Sequence, residues 1–180
     1  MIRPAVLLLL LLTGGCTPSQ PAQAPVQTSP TAAVHSFAGG CAGTVLTDAE
    51  PPVWAQVGWS HAKGTSWPVP WAFGTGDTAV AYLFATQLVA GGSPRLDGSN
   101  NKVLWEAKDH PSGEGVIVEG RPLRQSQPVI TVNGGPSITD VPTAGCWTFK
   151  LSWSSSGRQS STTINLQALP AGTNPMTLHS

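Results

Sequence analysis

Charge is the scarcest property of this chain: Asp, Glu, Lys and Arg make up 10% of its 180 residues, nine of each sign. Nucleic-acid binding rests on clustered Lys and Arg, and no such cluster is present, so that class of partner is set aside. The same balance gives no reason to expect an acidic lipid surface as a partner. Long apolar runs are also missing. The longest, Ala5 to Leu12, spans about 12 Å as a helix against the roughly 30 Å of a bilayer core, so a permanent transmembrane helix is not expected. There is no CxxC, no HExxH and no methionine between the first residue and Met176. Redox pairs, zincin chemistry and methionine-lined copper sites therefore lack sequence support. No long 3.6-residue periodicity appears either, which removes helical bundles.

What is present begins at the N-terminus, MIRPAVLLLLLLTGGC. One cation (Arg3), an apolar run and small residues before a cysteine form the layout of a secretory signal over residues 1–15. Thr13-Gly14-Gly15-Cys16 resembles the bacterial lipobox. That resemblance implies cleavage before Cys16, a diacylglycerol on its thiol, and attachment to the extracytoplasmic face of a cell membrane. The pattern more often has Leu three residues before the cysteine, where this chain has Thr13; an ordinary secretory signal cut elsewhere is the competing reading. Each buried methylene contributes about 0.8 kcal/mol, so two or three acyl chains hold where one does not.

Residues from Thr17 to Gly40 carry no charged side chain and are rich in Pro, Gln, Ser, Thr and Ala. Such a stretch buries too little apolar surface to offset the entropy of ordering and reads as a disordered linker over 16–40, with His35 a solvated side chain in it. A second frayed tail is expected over 171–180. Residues 41–170 then make one domain of ordinary size.

The chain has three cysteines. With Cys16 taken by lipid, Cys41 and Cys146 remain, and outside the cytoplasm such a pair is normally oxidised. A bridge closing about 100 residues contributes roughly 4–5 kcal/mol in the chain-entropy model. A metal or redox role for the pair would call for closer spacing.

Twenty Gly and seventeen Pro punctuate short runs of Val, Ile, Thr and aromatics. Strands are predicted at Thr44–Leu46, Val53–Val57, Ala79–Phe84, Lys102–Ala107, Gly115–Glu119, Val129–Val132, Cys146–Trp153 and Thr162–Ala168. A short helix at Leu83–Ala90 is the one alternative. In CWTFKLSW, Trp147, Phe149, Leu151 and Trp153 alternate with polar residues and share one face. The turn at SSSGRQS joins this strand to TTINL as a hairpin. The expected architecture is all-β, an antiparallel sandwich whose apolar faces cover one another.

Asp140-Val141-Pro142-Thr143-Ala144-Gly145-Cys146-Trp147, followed by that hairpin, resembles the corner before the last two strands of immunoglobulin-like domains. Across NNKVLWEAK, PSITDVPTAGCWTFKLSW and TTINL the chain also resembles small uncharacterised bacterial lipoproteins. The resemblance implies an immunoglobulin-like β-sandwich and carries no activity with it. Trp147 stands where those domains more often use Tyr, so a phenol cannot make the corner hydrogen bond.

Residues that carry chemistry do not assemble into a familiar constellation. Gly58-Trp59-Ser60-His61-Ala62 echoes a nucleophile elbow, but Ala62 replaces its second Gly and the flanks are not helical. His61, Asp109 and His110 are too dispersed to make a metal centre. Asp97-Gly98-Ser99-Asn100-Asn101 places oxygen ligands as calcium loops do, yet Lys102 and Lys108 occupy the positions of the loop Gly and bidentate Glu, so a polar turn is expected. Glu106, Asp109, Glu114 and Glu119 are near in sequence without a spacing that converges two carboxyls.

The tryptophans are the remaining signal. Trp54, Trp59, Trp67 and Trp71 fall within eighteen residues. They either pack as core or form an exposed platform for a sugar ring or partner, with Trp67 and Trp71 favoured because Pro68 and Pro70 hold that segment extended. The expectation is a lipid-anchored, non-enzymatic binding or interaction module that uses no metal or cofactor and engages an envelope protein. The alternative is a glycan-binding or glycan-acting protein using the tryptophan loops.

Overall fold

Alternating apolar residues between closely spaced turns favour short paired strands, and eleven of them form. The structure, a computed structural model, describes residues 35–62, 64–110 and 112–174. Cys16, Met176 and most of the expected linker lie outside these residues. The strands are β1 (Ser36–Phe37), β2 (Leu46–Thr47), β3 (Trp71–Phe73), β4 (Ala79–Leu83), β5 (Leu88–Val89) and β6 (Lys102–Ala107). They continue as β7 (Ile117–Pro122), β8 (Ile130–Asn133), β9 (Gly135–Ile138), β10 (Gly145–Ser155) and β11 (Arg158–Leu169). Two sheets result, with strand orders β1-β2-β3-β4-β6-β9 and β5-β11-β10-β7-β8. Every pairing is antiparallel except β5 on β11.

The long β10–β11 hairpin organises the second sheet. Trp147, Phe149 and Leu151 stand opposite Leu166, Ile164 and Thr162, and all six are buried. Its two-residue turn puts Ser156 and Gly157 at φ 49° and 77°, the left-handed geometry that matches the twist of the flanking strands. Across the sandwich these side chains meet Ala79, Ala81 and Leu83 of β4 and Val103, Trp105 and Ala107 of β6. Each large side chain fully buried there stabilises the fold by about 1.5–3 kcal/mol.

Polar residues fix the passage between the sheets. Buried Asn101 bonds both backbone groups of Val89, accepting at 2.9 Å and donating at 2.8 Å. It also donates to Asp140, which accepts from the Ser93 amide and hydroxyl. At the corner before β10 the indole of Trp147 donates to the Thr143 carbonyl at 2.9 Å.

Several expectations change. Val53–Val57 is no strand: a 3-10 turn occupies Val53–Ala55, following the paired prolines 51 and 52, which lack backbone donors for a ladder. Leu83–Ala90 is not helical but contains β5. β3 and β9 were not foreseen. The linker boundary at residue 40 also shifts, because Ser36–Phe37 pairs with Leu46–Thr47. His35 is not merely solvated: its amide and Nδ1 each lie 2.8 Å from the Asp48 carboxylate. Burial raises the pKa of Asp48, but the hydrogen bonds from His35 and Ser66 outweigh it and leave the group below its ordinary value.

Cys41 and Cys146 are bridged, with Cα atoms 5.9 Å apart and a separation of 105 positions in sequence. The link fastens the loop after β1 to the start of β10. Replacing both cysteines by Ser is expected to lower stability by about 4 kcal/mol, measured as the difference in denaturant unfolding free energy between the oxidised protein and the double variant.

Candidate ligand-binding groove

The tryptophan-rich segment folds back over the outer face of the first sheet. Along β4, Ala79, Ala81 and Leu83 face the other sheet, while Val80 and Tyr82 face outward. Trp67 and Trp71, 3% and 2% exposed, cover these outward residues together with Ala55, and half-buried Trp54 and Trp59 pack beside them. Trp59 lies 5.6 Å from Trp67 and 5.2 Å from Tyr82, ring centre to ring centre. The Tyr82 hydroxyl donates to the Ala55 carbonyl, and the Trp71 indole donates to Ala49 at 2.7 Å. The platform reading of Trp67 is therefore corrected. The backbone bends at Pro68 and Val69, and the indoles of Trp67 and Trp71 turn inward, where apolar area is removed from water.

Beneath this cap lies one carboxyl. Glu106 is opposite Val80 in the register of β4 and β6, is 2% exposed, and has an Oε2 with no hydrogen-bond partner. Burial pushes its pKa up to about 8. Tyr82 is raised as well, first by its own burial and then by the nearby Glu106 charge.

An open groove of about 400 Å³ lies at the free edge of the cap, where the 42–47 segment and the β3–β4 turn meet β11. Trp71 backs it and half-exposed Phe73 stands in front, edge to face, with ring centres 4.6 Å apart. Thr47, Thr75, Asp77 and Thr163 supply polar lining. The hydroxyls of Thr75 and Thr163 lie 3.1 Å apart, and the Thr75 amide donates to the Thr163 carbonyl at 3.0 Å. Gly74 makes this approach feasible: a Cβ there would lie 2.5 Å from Thr162 Oγ1.

The groove's backbone is held in unusual form. Ala42 and Asp77 adopt φ 47° and 56°, a region costing a residue with a Cβ about 1–2 kcal/mol. Asn165 braces the first of these, donating to the Ala42 carbonyl at 3.4 Å and accepting from Thr148 at 2.8 Å.

The other candidates do not converge. Among the described residues no three of His, Cys, Asp and Glu come together to hold a metal. His61 packs on Trp67, with ring centres 4.6 Å apart. His110 lies instead beside the Ser154 carbonyl, its Nε2 at 3.0 Å. Ser60 sits in an irregular segment with no helix after it. Asp97 caps its own turn, accepting from the Ser99 amide and hydroxyl and pairing with Arg95 at 3.2 Å. Glu106 and Glu119 belong to different sheets. Of the four tryptophans singled out, only Trp71 lines the groove, and Phe73, Asp77 and Thr163 carried no sequence signal.

No family model matches the chain, and no curated protein or solved structure is significantly similar to it.

Glu106 makes stability depend on pH with a defined sign. Its carboxyl ionises near its ordinary value of 4.5 when exposed and near 8 when folded. Between those values the unfolded chain releases a proton that the folded chain keeps, so stability falls as pH rises and levels off above about 8. The expected loss between pH 4.5 and 7 is on the order of 3 kcal/mol. In Glu106→Gln that component vanishes. Denaturant midpoints for both proteins across this range test it; parallel curves would remove the carboxyl as the cause.

Proposed function

We propose that this chain is a lipid-anchored binding module of the bacterial cell envelope that holds its ligand in the groove and performs no catalysis. The reading rests chiefly on that groove, an open site of about 400 Å³ combining an aromatic wall with hydroxyl and carboxylate groups. This volume falls within the range of small-molecule sites. The Cys41–Cys146 bridge supports an oxidising, extracytoplasmic setting, and it agrees with Cys16 as the lipidated residue of a processed signal.

An immunoglobulin-like form of the sandwich fits the strand order. After β4 pairs with β6, the chain crosses to the other sheet and β5 lies parallel on β11. From β6 onward, β6 and β9 form one side and β7, β8, β10 and β11 the other, as B and E oppose C, C′, F and G in such domains. β1–β3 and the aromatic cap are additions before that plan. The bridge departs from it, since it joins the segment after β1 to β10 rather than two core strands.

Two measurements test the proposal. In the native bacterial host, Cys16→Ser should move the protein from membranes to the soluble extracytoplasmic fraction; retention on membranes would defeat the anchor. Tryptophan emission of the detergent-solubilised full chain should shift saturably with fragments of cell envelope, and Phe73→Ala should abolish the shift. Emission that never responds would count against the groove as a ligand site.

A further inference from the structure

We infer that the groove bounded by Phe73, Asp77 and the Thr75–Thr163 hydroxyl pair is a subsite for one uncharged sugar ring of a glycan. This rests on reading the groove as the ligand site, and it names the chemistry of the occupant.

A pyranose has an apolar C–H face and a rim of hydroxyls, each able to donate and accept. Its binding site needs a π surface for the first and mixed donors and acceptors for the second. Phe73 presents the aromatic surface, held by the edge-to-face contact with Trp71, and an aromatic face carries the partial negative charge that attracts C–H edges. The carboxylate of Asp77 is exposed and bonds to no other described residue, which leaves an acceptor at the lip for a sugar hydroxyl, a charge-assisted bond of the stronger kind. The Thr75 hydroxyl lies 3.1 Å from that of Thr163 and donates to the Thr163 carbonyl at 3.4 Å. A hydroxyl has one donor and two lone pairs, so the pair retains lone pairs that accept from a sugar hydroxyl.

Charge decides between ligand classes. Among the described residues no Lys, Arg or His lines the groove, and Asp77 is the one ionisable group that does. Phosphate, sulfate and uronate groups would meet a like charge with nothing to compensate it. A peptide chain is served poorly too, because the β11 backbone beside the groove is already engaged: Thr163 O accepts from Thr75 and Asn165 O from Cys41. A neutral sugar asks for none of those groups.

The arrangement is also preformed. Asp77 is placed by a left-handed turn whose neighbour Thr75 is hydrogen-bonded to β11. Ala42 is fixed by Asn165 and adjoins the bridged Cys41. Backbone held in sparsely populated conformations gathers at ligand sites, where the surrounding structure maintains it. Little ordering is left to be done when the ligand arrives.

The test is calorimetric titration of the full-length chain in detergent with uncharged tetrasaccharides: N-acetylglucosamine, glucose and mannose oligomers. A uronic acid tetramer and inorganic phosphate serve as charged probes. At least one neutral oligomer should bind, and the charged probes should bind at least tenfold more weakly. Phe73→Leu keeps the apolar volume, loses the π face and should weaken binding about tenfold; Asp77→Asn should weaken it about fivefold. Glu119→Gln, on the other sheet, should leave affinity within twofold. Failure of every neutral oligomer overturns the sugar assignment. If envelope fragments still shift the emission in a Phe73-dependent way, the ligand site stands and its occupant belongs to another class. If neither ligand set responds to substitutions at Phe73 or Asp77, both the sugar subsite and the groove reading fall.

Discussion

The covering of β4 on both faces is the constraint on which the remaining structure depends. One face meets the second sheet through Ala79, Ala81 and Leu83, and the other meets the aromatic cap through Val80 and Tyr82. The small side chains on the inner face let Trp105, Phe149 and Trp147 fill the space between the sheets, because interiors pack near crystal density and large residues need small partners. The outer face is deep enough in the fold that desolvation raises the pKa of a carboxyl there, Glu106. The molecule is thus a sandwich with a partial third layer, and the groove opens where that layer ends.

That third layer links the two sites described. The outer face forms a grid in which Thr47, Trp71, Tyr82 and Leu104 lie in one row and Phe73, Val80 and Glu106 in the next. Phe73 and Glu106 are two strands apart, about 10 Å. The groove wall and the buried carboxyl consequently share one packed surface. The tryptophans are better regarded as the support of the groove's wall than as its contact surface.

The legible parts of the fold were those with a single solution. CWTFKLSW alternates so plainly because one of its faces is buried in the core and the other is polar and mostly half-buried, and its hairpin partner followed from the turn. The cysteine pair was legible from count and from the expectation that Cys16 is taken by lipid. β9 was not, because Gly-Pro-Ser-Ile carries no alternation and is paired only by its place beside β6. Packing of the tryptophans was one of the two readings the sequence offered; the face they cover was not read, although a signal existed: Ala79–Leu83 is apolar at every position, the pattern of a strand buried on both faces. The groove could not be read at all. Its residues come from three separated stretches, around 42–47, 71–77 and 163–165, and only the register of β3 and the path of β11 unite them.

The Cys41–Cys146 bond has a mechanical side as well. Tension applied between the two ends of the chain passes through the bond, bypassing the residues between the two cysteines. The 105 residues it spans represent about 350 Å of extended chain that cannot be paid out while the bond is intact. For a protein held at one end and gripped at the other, the cap, β2 to β9 and most of the groove are spared the load. The strain falls instead on β1 and on the β10–β11 hairpin, which is loaded at its open end, where Cys146 and Gln167 are direct partners.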